Sequence, residues 1–448
     1  MNIKPRDICI MVFTIVLLSA CARGETMPIN HLSTTMMPGT PTPIDTTTLP
    51  STPTKPATST GTDTSTMTPN NTNPPIGYEL VDWRGPTEVI TPENMNRVER
   101  IGRMEFDGQL LRYAWSPDGS KLGVSLYYPS SQQQLTHQNT LIINALTFQE
   151  IRRLDGYGYI AFSYDGKILE TGGNQYDLDT GEEISHGVGT ISYFPGKIMD
   201  IEFSPNGEYI AAAGTEYVDL YPMGGNFRHG AFTREGAEPM HTSVSPDSKI
   251  IAVDYSFESF TELWDPYKLK PIRILKLVGM GSGGKARFYR NKNTLFLIGW
   301  GKYENGYASF IQEWNYTNGQ PLSINLLPEI AIGDDLTLDI SPISDTIAYL
   351  SDYGNIFLIP IHNCQFIKLG KVGGKVSKPG KISFRPDGKL FATQGWGDDA
   401  IEFWGIPNSS TNASNESPTN IPTMTSTPCP KIPMVVEQPM PEHNWWGK

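Results

Sequence analysis

The residue types that could carry chemistry are scattered along this chain, and each candidate has a plainer structural explanation. Gly279-Met-Gly-Ser-Gly-Gly-Lys285 comes after the apolar run Ile272 to Val278 and matches both a dinucleotide fingerprint and a phosphate loop. Either motif needs a helix next in the chain, whose N-terminus receives the phosphate, and a phosphate loop wants Ser or Thr where Ala286 stands. The chain continues instead into Arg287-Phe-Tyr289, a strand-like run, so the glycines read as a loop between strands. Asp177-Leu-Asp-Thr-Gly-Glu182 is calcium-like in composition but lacks the spaced carboxylates of a calcium loop, and a turn between strands accounts for it. There is no Gly-x-Ser-x-Gly elbow and no His-Glu-x-x-His zinc pair, and the seven histidines are isolated from one another. No catalytic residue, metal ligand or cofactor is therefore assigned, and the chain is not expected to be an enzyme.

Binding chemistry is better represented. Trp300, Tyr303, Tyr353 and Trp396 lie in glycine-containing stretches together with Asp398 and Asp399. Aromatic rings held in such loops offer rigid stacking surface to a protein, peptide or glycan, and the carboxylates favour a cationic ligand. These six residues are the candidate binding face, and Gly395-Trp-Gly-Asp-Asp399 is its most concentrated part.

The elements that must position them repeat. A four-residue turn recurs as Ser116-Pro-Asp-Gly119, Ser163-Tyr-Asp-Gly166, Ser204-Pro-Asn-Gly207, Ser245-Pro-Asp-Ser248, Tyr289-Arg-Asn-Lys292, Ser341-Pro-Ile-Ser344 and Arg385-Pro-Asp-Gly388. The spacing, about 40 to 50 residues, is the period of a four-stranded propeller blade. Pro presets the first central position of a type I turn, and Gly takes the left-handed position that closes the hairpin. Blades four, five and six lack that glycine, and the hairpins of blades five and six are expected to be the least regular. An apolar residue precedes every turn: Trp115, Phe162, Phe203, Val244, Phe288, Ile340 and Phe384. On strands that alternate faces, these point into the layers between blades.

A further apolar strand in each repeat ends at positions such as Trp264-Asp265, Trp314-Asn315 and Trp404-Gly405. On these residues, and on Phe260-Thr-Glu-Leu-Trp-Asp-Pro266 above all, the chain resembles the WD-repeat family over about residues 92 to 407. It also resembles bacterial propellers with Pro-Asp-Gly repeats. It departs from the WD pattern in having one literal Trp-Asp pair and no Gly-His dipeptide of the kind that joins that Asp in a hydrogen-bond network. The resemblance implies an all-β fold, a seven-bladed β-propeller of four-stranded antiparallel blades. The seventh repeat offers only three strands, while Val98-Glu-Arg-Ile-Gly-Arg-Met104 is unassigned. That N-terminal strand is expected to complete the last blade and close the ring, leaving no open sheet edge there. Just ahead of it, Thr91-Pro-Glu-Asn94 reads as a capped helical turn with Pro at its first position.

Outside the repeats the composition changes. Lys4 and Arg6 precede an apolar run, Ile8 to Ala20, that is too short to span a bilayer and suits a signal peptide. The run ends Leu18-Ser-Ala-Cys21, which resembles the bacterial lipobox and makes Cys21 the expected site of lipidation. Residues 21–75 are a Thr/Pro-rich stalk with too little apolar surface to offset the entropy of ordering. About 50 such residues span about 40 Å when coiled and about 150 Å when drawn out as polyproline II.

The expected organisation is a signal peptide at 1–20, that disordered stalk, a lead-in at 76–96, a propeller at 97–407 and a disordered Ser/Thr/Pro-rich tail at 408–448. Only Cys364 and Cys429 remain for a disulfide, and their proximity is not set by the sequence. The tail carries Trp445-Trp446, either a stray aromatic pair or one that docks. A net charge of -12 with a pI near 5.1 argues against a nucleic-acid partner, since phosphate binding needs concentrated Lys and Arg.

The expected function is a monomeric, membrane-anchored, extracytoplasmic binding platform whose partner is an unidentified protein, peptide or glycan. The lipid anchor places it on the bacterial cell membrane, in the outer leaflet or the outer membrane. Two alternatives stand beside it: a hydrolase or lyase working in the central channel, and a component of an envelope assembly complex.

Overall fold

The computed structural model describes residues 77–408 and 425–426, apart from 128–137, 157, 186–197, 215, 224–229, 235, 256–257, 278–282, 290–292, 304–305, 328–336, 352, 363–364, 373–378 and 396. It is all-β, with seven antiparallel sheets of four strands that match the sequence repeats: 109–155, 160–185, 198–232, 239–276, 283–326, 337–371 and 379–405. The last sheet lacks its own fourth strand. Two N-terminal strands supply it and extend it, β1 (Tyr78–Val81) and β2 (Glu99–Phe106). As the unassigned run predicts, β2 pairs antiparallel with Ala400–Gly405, setting Met104 opposite Ile401 and Glu99 opposite Gly405. Beyond it β1 adds a fifth strand, unforeseen in the sequence, with Tyr78 opposite Phe106. Thr425–Ser426, within the stretch expected to be tail, pairs in the same way with the outer strand of blade six.

The core is divided among the blade interfaces, where seven apolar clusters sit. Each of the seven residues that precede the turns falls in or against a different cluster. Phe162, Phe203, Val244, Ile340 and Phe384 are buried, while Trp115 and Phe288 are partly buried against their clusters. Neighbouring first strands touch in succession from blade one to blade seven, so these strands are innermost. Blade seven reaches blade one through Tyr113 Oη, which donates to the Ala392 carbonyl at 2.7 Å, and Lys381 Nζ, which donates to the Tyr113 carbonyl at 2.6 Å.

The turns owe their regularity to side chains as well as to glycine. In blade one the Ser116 hydroxyl donates to Asp118 at 2.5 Å and accepts from the Lys121 N–H at 2.9 Å, while Gly119 takes φ +69°. Blade four keeps this left-handed conformation with Ser248, at φ +61°. Blade six does not: the Ser344 N–H turns to Ser341 Oγ at 3.2 Å, the irregularity expected where glycine is missing. The lead-in begins a helical turn at Thr91, whose carbonyl accepts from Asn94 and Met95, and continues as a short 3-10 helix, Met95–Arg97. Ile90, Met95 and Val98 from this segment fill the apolar layer between blades six and seven.

Candidate functional site

Topology gathers several of the binding-face residues at one end of the ring. Trp300 and Tyr303 lie on Thr294–Tyr303, and Tyr303 is paired with Gly306 across the hairpin between the second and third strands of blade five. Tyr353 occupies the corresponding hairpin of blade six, and its side chain is 55 % exposed. Asp398 and Asp399 occupy that of blade seven, between Leu390–Gly395 and Ala400–Gly405. Trp396, Cys21, Cys364 and Cys429 lie outside the described residues.

At blade seven this end carries a cleft of about 210 Å³ lined by Arg103, Glu105, Phe106, Gly397, Asp398 and Asp399. It exists because β2 lies beside the hairpin. The Phe106 N–H donates to the Asp399 carbonyl at 2.8 Å, and Gly397 turns the loop at φ +70°. Arg103 reaches Glu105 at 2.8 Å, Glu402 at 3.2 Å and Asp398 at 3.5 Å. Burial pushes the Asp398 carboxyl above its ordinary range and Glu402 adds to this, with the Arg103 guanidinium opposing both. Three carboxylates and one guanidinium leave the lining acidic, and the volume is below that of a drug-sized pocket. It suits one basic side chain of a larger partner.

A second constellation, which no sequence motif marks, lies in the central channel. Register slips in five of the seven first strands, between Leu110 and Arg112, Ile198 and Asp200, Pro239 and His241, Gly283 and Ala286, and Pro379 and Lys381. Such bulges re-aim side chains. Here they fall next to charged or titratable residues: Arg112, Asp200, His241, Lys285 and Lys381. All five stand three positions before the apolar residue that precedes the turn, the place taken by Tyr159 in blade two and Thr337 in blade six. The repeat spacing contained that signal; reading outward from the turn in steps of three would have found it. Two residues further along come Glu202, Arg287 and Asp339.

These groups converge from opposite sides of the ring. Lys381 of blade seven interacts electrostatically with Lys285 and Arg287 of blade five, Asp200 of blade three and Arg112 of blade one. Asp200 stands 3.6 Å from His241 and accepts from the Thr242 N–H at 3.4 Å. Burial alone would raise its carboxyl, but the neighbouring His241 and the Lys285 and Arg287 charges outweigh it and hold the group well below the usual range. Burial pushes Glu202 up to about 7 and Asp254 up to about 6. Among the described residues no three His, Cys, Asp or Glu side chains gather where they could hold a metal ion, and no helix is long and apolar enough to cross a membrane.

No protein-family model and no curated protein matches this chain. Among solved structures it is similar to the β-propeller domain of Cps50 (Swd1) from Myceliophteria thermophila, at 14 % identity and a TM-score of 0.51. The match covers 67 % of this chain and 97 % of that domain. At this identity the similarity shows the fold. This is a β-propeller. Within its blades, the Trp264 indole of this propeller donates to Glu262 at 3.0 Å, Trp314 to Gln312 at 3.0 Å and Trp404 to Thr393 at 3.1 Å.

Proposed function

We propose that this propeller is a lipid-anchored, extracytoplasmic binding platform whose loop face takes a basic segment of a protein or peptide. The blade-seven cleft carries the reading. It is acidic, sized for one side chain, and placed at the end of the ring where the hairpins of blades five and six also end. The propeller fold supports a role in protein interaction by analogy, because propellers host many functions. Anchoring rests on the Leu18-Ser-Ala-Cys21 motif after its apolar run. The Asp107 N–H donates to the Gly77 carbonyl at 3.1 Å, so the chain enters the ring beside Phe106, which lines the cleft.

The test uses the full chain expressed in a bacterial host. Wild type is expected in the membrane fraction with palmitate incorporated, and Cys21→Ser in the soluble fraction without it. Solubilised wild type is expected to bind a fluorescent tetra-lysine peptide, and Glu105→Gln/Asp399→Asn to bind it about tenfold more weakly, a loss of about 1.4 kcal/mol. Equal binding by the two proteins, or binding of a tetra-glutamine peptide as tight as that of tetra-lysine, defeats the cleft assignment.

A further inference from the structure

The loop face does not use the central channel, where cations and carboxylates from several blades act on one another. Lys285, Lys381 and Arg112 occupy one register level on blades five, seven and one, with the neutral Thr337 at that level of blade six between them. Arg287 adds a fourth cation from blade five. Lys381 donates one hydrogen bond, to the Tyr113 carbonyl at 2.6 Å, and stands 5.1 Å from the centre of the Tyr113 ring. Among the described residues Lys285 has no hydrogen-bond or ion-pair partner, although four charged groups act on it from around the ring.

The acids of the channel are otherwise engaged. Asp200 serves His241 and the Thr242 N–H, from blade three to blade four. Asp339 accepts from the Phe384 N–H at 2.7 Å, from blade six to blade seven. Glu202 faces Arg287 at 4.0 Å. Asp200 and Asp339 therefore stitch neighbouring blades, and the arc from blade five to blade one keeps an excess of positive charge. Burial, with the surrounding cations adding to it, lowers Lys381 to about 7 and Lys285 to about 8. Clustered, partly desolvated cations are unfavourable unless a counter-charge joins them.

We propose that the central channel binds a small oxyanion, a carboxylate or a phosphate, held by Lys285, Lys381 and Arg112. Two ammonium groups and a guanidinium donate charge-assisted hydrogen bonds to its oxygens, and such bonds are the strong ones. Asp200 and His241, on the opposite side, leave the far wall less positive and give the channel a polarity that would orient an asymmetric anion.

Isothermal titration calorimetry on the full chain at pH 7 in chloride-free buffer tests this, with inorganic phosphate in one arm and succinate in the other. Wild type is expected to bind at least one of them saturably at a single site. Lys285→Gln and Lys381→Gln are each expected to weaken that binding at least tenfold, while Lys268→Gln, an exposed lysine on a turn of blade four, leaves it unchanged. Binding of phosphate alone assigns a phosphate site, and binding of succinate alone a carboxylate site. Lys285→Gln removes a repelling charge and breaks no hydrogen bond, so its melting temperature without anion should equal or exceed that of wild type. The proposal is overturned if neither anion binds saturably, if Lys268→Gln weakens binding as much as the channel variants, or if Lys285→Gln melts lower than wild type in anion-free buffer.

Discussion

Glu170, on the second strand of blade two, is 1 % exposed, and among the described residues neither carboxyl oxygen has a well-formed hydrogen bond. Burial pushes its pKa up to about 8, with Gln175 across the strand pair giving partial relief. An ordinary carboxyl in the unfolded chain titrates near 4.3. The folded state therefore holds the proton more tightly, so the stability contributed by this group is complete below about pH 4.3 and is lost as pH rises towards 8. Glu170→Gln is expected to raise the melting temperature at pH 8 and to flatten the decline seen in wild type between pH 5 and pH 8; parallel melting curves for the two proteins would refute the assignment. Nothing in the sequence marks Glu170, which sits in an ordinary Leu-Glu-Thr run. Its burial comes from the stacking of whole blades, and no local pattern encodes that. Asp398 shows a related limit. The glycine-rich loop identified it as an aspartate at a binding face, but the 3.5 Å contact to Arg103 depends on β2 arriving from nearly 300 residues away.

Among elements, the blades were legible and their outer edges were not. Turn chemistry and a fixed period leave a strong trace, because each Ser-Pro-Asp-Gly turn needs particular residues at particular places. Edge strands such as β1 join through backbone pairing, which leaves little trace in side chains. A repeated device between blades is equally quiet in sequence. Arg152 at the edge of blade one donates to the Thr180 carbonyl of blade two at 2.8 Å, and Arg273 of blade four does the same to Asn318 of blade five at 2.8 Å. Each guanidinium lies over a left-handed glycine: a Cβ on Gly181, at φ +80°, would sit 2.0 Å from Arg152 Nη1, and one on Gly319, at φ +74°, 2.4 Å from Arg273 Nη1. Gly181→Ala must therefore strain the turn and displace the arginine, at a cost of about 1–3 kcal/mol. Arg152→Met should cost less than about 1 kcal/mol, as expected for an exposed polar contact. Chemical denaturation of both variants checks the order, and equal losses would show that the arginine, not the backbone, carries the effect.

At the scale of the molecule, the ring depends on β2. Removing residues 77–106 exposes the Ala400–Gly405 edge, strips Ile101 and Met104 from the cluster between blades seven and one, and takes Ile90, Met95 and Val98 from the next cluster. That deletion is expected to abolish the single cooperative melting transition, and a truncated chain that melts like the full one would show that the ring does not need its clasp. The closing pair also imposes an order in time. Glu99 pairs with Gly405, about 300 residues later, and at about 5–20 residues per second a ribosome takes about 15–60 s to make that interval. For that long the edge of β2 that will meet Ala400–Gly405 waits unpaired, open to whatever other edge it meets. Its solvent side carries Glu99, Arg100, Arg103 and Glu105, and charges of this kind discourage edge-to-edge pairing. The residues that later meet Glu402 and the cleft would thus first act to keep a nascent chain from aggregating, and translation speed becomes a variable in the yield of folded protein.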